Sequence, residues 1–308
     1  MNFTLNQLQI FLKVVQTRSI TKASDALNLT QPAVSIQLRN FQDQFDIPLT
    51  EIIGRRVHIT TFGKEVALTA EKILEQVQTI NFKTHAFKGK LAGRLRIASV
   101  STGKYVMPFF ITDFLKDNPG VELHLDVSNK FQVSEALEKN ETDFAIVSIP
   151  PKHLLIDYVD LMKNHLFLIG KEPIMLKKGQ SLQDFFQALT LIFREEGSGT
   201  RQVMERYLSQ NGLKFTKRME LTSNEAVKQA ILAGFGYSIM PLIGIRRELL
   251  GEELHIIPVK NLPVVSNWQL IWMKGKRHSP IAEALLKHLE KEKEAIAKKF
   301  FGWTERYS

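Results

Sequence analysis

Apolar positions recur at helical spacing three times within the first forty-five residues of this 308-residue chain. Leu5, Leu8, Phe11, Leu12 and Val15 fall on one side of a helix, because residues three and four apart are neighbours on its surface. Ile20, Ala23 and Leu27 mark a second, shorter helix that Ser19 can cap, and small Ala23 and Ala26 let two helices approach closely at a corner. Thr30 is a residue type that caps a third helix, where Pro32 is tolerated because first-turn N–H groups lack intrahelical acceptors. In that helix Val34, Leu38, Phe41 and Phe45 step by four, three and four, so they share one side. At about 100° per residue the other side carries Pro32, Ser35, Ile36, Arg39 and Asn40. One face can anchor on a small core while the other presents slim polar and guanidinium groups. A helix that enters the DNA major groove needs that division. The competing reading is any small helical bundle.

After Pro48 the pattern shortens to two strands turning at Gly54-Arg55, a β-wing whose Arg55 and Arg56 suit a phosphate or a narrow minor groove. The competing reading there is a solvated turn. From residue 62 to about 89 the rhythm changes again. Val66, Ala70, Ile73, Val77 and Ile80 keep a four-three-four-three spacing, which Thr84 interrupts and Phe87 resumes. A period of 3.5 residues makes a narrow seam for another helix. The spacing predicts a long linker helix that pairs with its copy in a second chain, or else packs on the protein's own body.

The remaining two hundred residues alternate short apolar strands with helices. Strands are expected at 95–100, 121–127, 144–148, 166–169, 191–193, 219–221, 237–240 and 269–273, with a last helix ending near residue 300. This order fits two α/β lobes built on mainly parallel sheet and joined by crossovers near residues 163 and 267. Ligands of open α/β sheets lie beyond the carboxyl ends of strands. Ser99, Ser101 and Thr102 stand at one such end, Ser148 at another, and Ser198, Gly199 and Thr200 immediately before a helix. Hydroxyls and exposed backbone N–H groups at helix starts suit negative charge, so a small anionic ligand, carboxylate or phosphate, is expected between the lobes. Each run taken singly is equally a helix cap.

Composition narrows the class. With 44% hydrophobic and 24% charged residues the chain reads as an ordinary globular protein without a membrane span. Cysteine is absent, which excludes disulfides and thiolate chemistry and, with no secretion-signal layout, predicts a cytoplasmic location. The net charge of +9 is compatible with a polyanionic partner, but residues 1–90 hold 11 Lys/Arg against 7 Asp/Glu, or +4, so the excess is spread along the chain. Glu196-Gly197-Ser198-Gly199-Thr200 is not a P-loop, since no Gly-Lys-Ser/Thr closes it. Gly234-Phe235-Gly236 lacks the third glycine of a dinucleotide fingerprint and reads as a tight turn. No histidine pair has metal-ligand spacing and no serine has an evident base. Neither metal, cofactor nor enzymatic activity is expected.

The runs Ser19-Ile20-Thr21-Lys22-Ala23-Ser24-Asp25-Ala26-Leu27 and Thr30-Gln31-Pro32-Ala33-Val34-Ser35-Ile36-Gln37-Leu38 resemble the signature of LysR-type transcriptional regulators. The order of elements along essentially the whole chain is similar too. The resemblance implies an α+β multidomain protein: an N-terminal winged helix-turn-helix, a long linker helix and a C-terminal two-lobed, periplasmic-binding-protein-like effector domain. It implies that Thr30, Gln31, Pro32, Ser35, Ile36 and Arg39 face promoter DNA, with Arg55 and Arg56 on the wing. It also implies a homodimer or homotetramer. Where many members carry arginine directly after the serine, this chain has Ile36, a residue suited to a thymine methyl. Where many have Leu-Phe-x-Arg before the wing, it has Leu49-Thr50-Glu51-Ile52. Val100-Ser101-Thr102-Gly103-Lys104-Tyr105, Asn118-Pro119-Gly120-Val121-Glu122-Leu123 and Arg194-Glu195-Glu196-Gly197-Ser198-Gly199-Thr200-Arg201 are similar to sensor domains of regulators of carbon-fixation genes. Those relatives respond to phosphorylated sugars or related metabolites.

The expected organisation is a DNA-binding domain at 1–60 (helix-turn-helix about 20–40), a linker and dimerisation helix at 61–90, and an effector domain at 91–308. Lobe I takes about 91–163 and 268–300, lobe II about 164–267. The rival reading is a cytoplasmic small-molecule binding protein with an unrelated helical extension.

Overall fold

The computed structural model describes residues 2–54, 56–87 and 91–307, which gather into two units, Met1–Gly93 and Arg94–Ser308. The first unit comprises α1 (Leu5–Thr17), α2 (Ile20–Leu27), α3 (Gln31–Gln42), β1 (Thr50–Ile53), β2 (Arg56–Ile59) and α4 (Thr61–Phe87). Each of its first three helices opens on a hydroxyl that accepts an orphan backbone N–H. Thr4 and Gln7 form a reciprocal capping box, Ser19 accepts from Lys22, and Thr30 accepts from Ala33 at 3.4 Å. Arg18 and Asn28 adopt left-handed backbone, φ 51° and 53°, which ends α1 and α2 abruptly and sets up the corner before α3.

Phe11, Ala23, Val34 and Phe41 are fully buried at the centre of this unit, with Leu8, Leu38, Leu49 and Val57 around them. Two expectations need adjustment. Helix α3 ends at Gln42, so Phe45 lies beyond it and reaches the core from the following turn, its ring 5.2 Å from that of Phe41. Leu5, at the first position of α1, is exposed rather than inward. Strands β1 and β2 pair antiparallel, Ile52 opposite Val57, and turn at Gly54.

The second unit holds β3 (Ala92–Val100), α5 (Met107–Asp117), β4 (Gly120–Ser128), α6 (Lys130–Glu138), β5 (Phe144–Val147) and β6 (Ile156–Gly170). It continues with α7 (Leu182–Ala188), β7 (Thr190–Arg194), α8 (Gly199–Gln210), β8 (Lys217–Leu221), α9 (Asn224–Leu232) and β9 (Ser238–Pro241). The last elements are α10 (Arg246–Leu250), β10 (His255–Ile257), β11 (Val264–Met273) and α11 (Pro280–Phe301). Strands β10-β6-β11-β5-β3-β4 form one sheet in that order, with β9 also on β6, while β7 and β8 pair parallel. Two sets of apolar side chains pack lobe II, one around Phe186, Leu191 and Tyr207, the other around Ile192, Ile231 and Met240.

Strands β3 and β5 run parallel, as expected of lobe I. The sheet as a whole departs from the mainly parallel expectation. β6 and β11 are antiparallel to each other from Ile156–Met273 to Leu166–Val264, and β11 is antiparallel to β5. The reason is geometric: one strand carries the chain out of lobe I and the other brings it back, so they must run oppositely. Lys163 pairs with Asn267 within this double crossing, and the register slips at Trp268/Gln269. The Gly234-Phe235-Gly236 turn is a packing device. A Cβ on Gly236 would strike the Thr190 carbonyl oxygen, which accepts from the Tyr237 N–H at 2.9 Å.

Candidate DNA-facing helix and effector cleft

Helix α3 separates its side chains as its sequence requires. Val34, Leu38 and Phe41 are buried, whereas Gln31, Pro32, Arg39 and Asn40 are exposed, Ser35 is half-buried and Ile36 is 57% exposed. Ser35 and Arg39 are therefore accessible. Thr30 spends its hydroxyl on the helix cap. At the wing tip Arg55 and the side chain of Arg56 lie outside the described residues, and the Arg56 backbone opens β2.

The seam on α4 divides. Ala70 is 1% exposed inside the unit's own core, where Ala67 joins it, and Val66 and Ile73 pack partly against the same core. These positions follow the alternative expectation of packing on the protein's own body, because α1 lies against the first half of α4. Val77 is half-buried and Ile80 is 64% exposed; the side chains of Thr84 and Phe87 lie outside the described residues.

In the second unit a narrow cleft lies between the lobes. Lobe I lines it with Ser101 and Thr102 beyond β3, Asn129 and Lys130 where α6 begins, and Ser148 beyond β5. Lobe II adds Arg194 and Glu195 at the end of β7, then Ser198, Gly199 and Thr200 at the start of α8. Six of the seven residues expected at the ligand site thus meet. Ser99 does not line the cleft. It is fully buried, donates to the Val100 carbonyl at 3.1 Å, and lies against Gly103, where a Cβ would collide with the Ser99 hydroxyl and an Ile146 methyl. Gly103 therefore lets the Ser101–Thr102 turn sit close on the sheet edge.

Sequence reasoning missed the charged members. Arg194 is 4% exposed; its Nε and Nη2 donate to the two Glu195 oxygens at 2.8 and 2.9 Å, and Nη1 donates to Asn224 Oδ1 at 3.4 Å. A guanidinium has five N–H groups, so donors remain for a ligand. Arg201 braces the loop from beneath. It donates to the Arg194 carbonyl at 3.2 Å and to Glu205 and Glu220, and the Glu205 hydrogen bond above all holds it protonated. Lys130 reaches across to Gln202 of lobe II at 2.9 Å. Burial first, then the positive charges of Arg206 and Lys152, pull its ammonium below the ordinary lysine range, a setting an anion would relieve. Ser198 is 5% exposed and makes no side-chain bond to the helix it caps. Its hydroxyl and the first-turn N–H groups of the twelve-residue α8 converge on the cleft. Both cations were legible by one rule applied further: Lys130 begins the helix after β4, and Arg194 ends β7 just before the glycine-rich run.

Among the described residues no cluster of three or more His, Asp or Glu could hold a metal, and no helix is long and apolar enough to cross a membrane. Comparison with known proteins decides the family. Residues 5–64 match the model described as bacterial regulatory helix-turn-helix protein, lysR family, and residues 88–294 match the LysR substrate binding domain. The chain belongs to the LysR family. It is 34% identical over 298 residues to the HTH-type transcriptional activator CmpR of Synechocystis, covering 96% of this chain and 98% of that one. To a RuBisCO operon transcriptional regulator of Allochromatium vinosum it is 35% identical over 286 residues, covering 92% and 94%. The regulatory domain of Synechocystis PCC6803 CcmR, solved in complex with 2-PG, is 33% identical with a TM-score of 0.59, covering 64% of this chain and 95% of that domain. Full-length CbnR, solved with its target DNA, shares the fold at 19% identity and a TM-score of 0.69, covering 94% and 99%. LysR membership makes the chain a DNA-binding transcriptional regulator with an effector domain, not an enzyme. It settles the choice against a binding protein with an unrelated extension.

Proposed function

We propose that this regulator is controlled by a small acid carrying a phosphate, bound in the cleft with its charge at the start of α8. One observation carries the reading: a buried arginine, a half-buried lysine and Ser198, whose hydroxyl does not cap its own helix, line one cleft at the start of α8 from both lobes. The 2-PG complex of the CcmR domain supports it, since 2-phosphoglycolate is an anionic metabolite. Ser198, Gly199 and Thr200 hold the phosphate, and Ser101, Thr102 and Ser148 close on it from lobe I. Lys130 balances the charge, while Arg194, its own charge already paired with Glu195, lends its remaining N–H groups. A ligand bridging both lobes prefers one lobe arrangement, and that preference is what alters the regulator's state on DNA.

On the DNA side, Gln31, Pro32, Ser35 and Arg39 enter the major groove, and Arg55 and Arg56 serve the wing. Residues 1–60 form the DNA-binding domain. Residues 61–90 form the linker, whose seam beyond Ile73 (Val77 and Ile80) joins two chains into a homodimer or a dimer of dimers. Residues 91–308 form the effector domain, and the protein works in the cytoplasm, beside its promoter.

Calorimetric titration of the full chain with 2-phosphoglycolate tests the ligand reading. Saturable binding is expected, weakened roughly tenfold or more in Ser198→Ala, since a hydrogen bond to a charged group contributes about 1.5–3 kcal/mol. Binding that survives unchanged in both Ser198→Ala and Lys130→Gln removes the ligand from this cleft.

A further inference from the structure

We propose that Ile36 is a specificity-determining residue that reads the 5-methyl group of a thymine in the major groove. The inference rests on α3 being the DNA-reading helix. Ile36 is 57% exposed on a helix that buries Val34, Leu38 and Phe41. At about 100° per residue it stands some 160° from Val34 and Leu38, so it does not widen the buried stripe. Pro32 precedes it by one turn and Asn40 follows by one, both exposed, with Arg39 beside them.

Folding does not account for an isoleucine there. It is half in water and gains little packing, and it favours a helix less than alanine does. Its chemistry instead limits what it can recognise. Isoleucine neither donates nor accepts a hydrogen bond, so it cannot pair with the polar edge of any base. The one apolar group that a base pair displays in the major groove is the thymine methyl. A β-branched side chain on a helix keeps essentially one χ1 rotamer, so its methyl groups are held at a fixed place rather than sweeping several base steps. With Pro32 one turn away, the N-terminal half of α3 carries an apolar strip. Arg39 and Asn40 supply the polar contacts further along.

The test uses the full chain on duplexes selected from a random pool for tight binding. Each thymine of the selected site is replaced in turn by deoxyuridine, which deletes only the 5-methyl group, and affinity is measured by fluorescence anisotropy. For the wild type, one thymine in each half-site is expected to lose about fourfold on this change, the equivalent of one buried methyl. In Ile36→Ala that same replacement is expected to change affinity by less than about 1.5-fold, because the partner of the methyl is gone. A deoxyuridine penalty of equal size in both proteins, or none at any thymine, overturns the proposal. Gln31→Ala and Arg39→Ala separate the two levels of the reading. If they leave the selected sequence unchanged, α3 is not the reading helix. If they change it while the thymine penalty is untouched in Ile36→Ala, only the role of Ile36 falls.

Discussion

Leu38 and Arg39 are adjacent in sequence, the one buried and the other exposed on α3, and replacing each by alanine should separate folding from DNA reading. Leu38 is 6% exposed within the first unit's core. Its truncation removes three carbon groups at about 0.8 kcal/mol each and leaves part of a cavity, so a cost of about 3 kcal/mol is expected. For a unit of this size that lowers the unfolding midpoint by roughly 15 °C. Arg39 is exposed, with no ion pair among the described residues. Its truncation should change stability by less than about 0.5 kcal/mol. It should weaken specific DNA binding by about 1–3 kcal/mol if the guanidinium meets a base edge, or flatten the salt dependence by about one counterion if it meets a phosphate. The tryptophans, Trp268, Trp272 and Trp303, all lie in the second unit. Tryptophan fluorescence therefore follows that unit, while far-ultraviolet circular dichroism follows both. Leu38→Ala should advance only the dichroism transition. Arg39→Ala should leave both in place and show its effect in anisotropy titrations against salt. An Arg39→Ala protein as unstable as Leu38→Ala would refute the assignment of faces. So would a Leu38→Ala protein of normal stability with lost DNA affinity.

Much of this was legible in the chain because the governing signals are local. Helix caps at Ser19 and Thr30 and the spacing of Val34, Leu38 and Phe41 depend on neighbours within a turn or two, and the structure keeps them. The cleft's hydroxyls were legible for a related reason: a strand end followed by a helix start fixes where a backbone can meet a ligand. What escaped depends on distant contacts. The pairing of Asp157 with Trp272 and of Lys163 with Asn267 turns residues 156–165 into strand, although their own alternation is weak. The α4 seam reads as one uniform stripe, yet Ala70 is covered by α1 from sixty residues upstream while Ile80 is exposed. Ser99 and Ser101 look equivalent two positions apart. Only the close approach of Gly103 to the sheet places Ser99 beneath the turn and leaves Ser101 above it. Arg194's place at a strand end was legible, but its burial was not. A charged residue at a strand end reads as solvated until Glu195 and Asn224 are seen to satisfy it in burial.

Gly103→Ala should displace the Ser101–Thr102 turn, destabilising the second unit by about 1–3 kcal/mol and weakening 2-phosphoglycolate more than Ser198→Ala does; calorimetry and thermal unfolding check both. Because the Lys130 ammonium is held below its ordinary range, binding an anion beside it should take up protons at alkaline pH. Calorimetry in buffers of different ionisation enthalpy should show that uptake, and Lys130→Arg should abolish it. Acid should destabilise the second unit through two histidines. His165 and His278 each have a buried Nδ1 without a hydrogen-bond partner. Burial first, then Lys163 for His165 and Lys276 for His278, pulls their pKa values below the ordinary 6.5. The fold therefore holds neutral imidazoles. Below about pH 6.5 the unfolded chain binds more protons than the folded one, so the stability present above that pH is lost as pH falls through the depressed folded values. His278 lies against Phe144 and Trp272, with ring centres 5.2 and 5.3 Å away, so His278→Phe keeps the packing and removes one titrating group. The variant should lose less stability between pH 7 and pH 5 than the wild type, read from the tryptophan transition. An unchanged slope would show that His278 is not a source of the acid sensitivity, and a wild-type midpoint that rises toward pH 5 would contradict the sign for both residues.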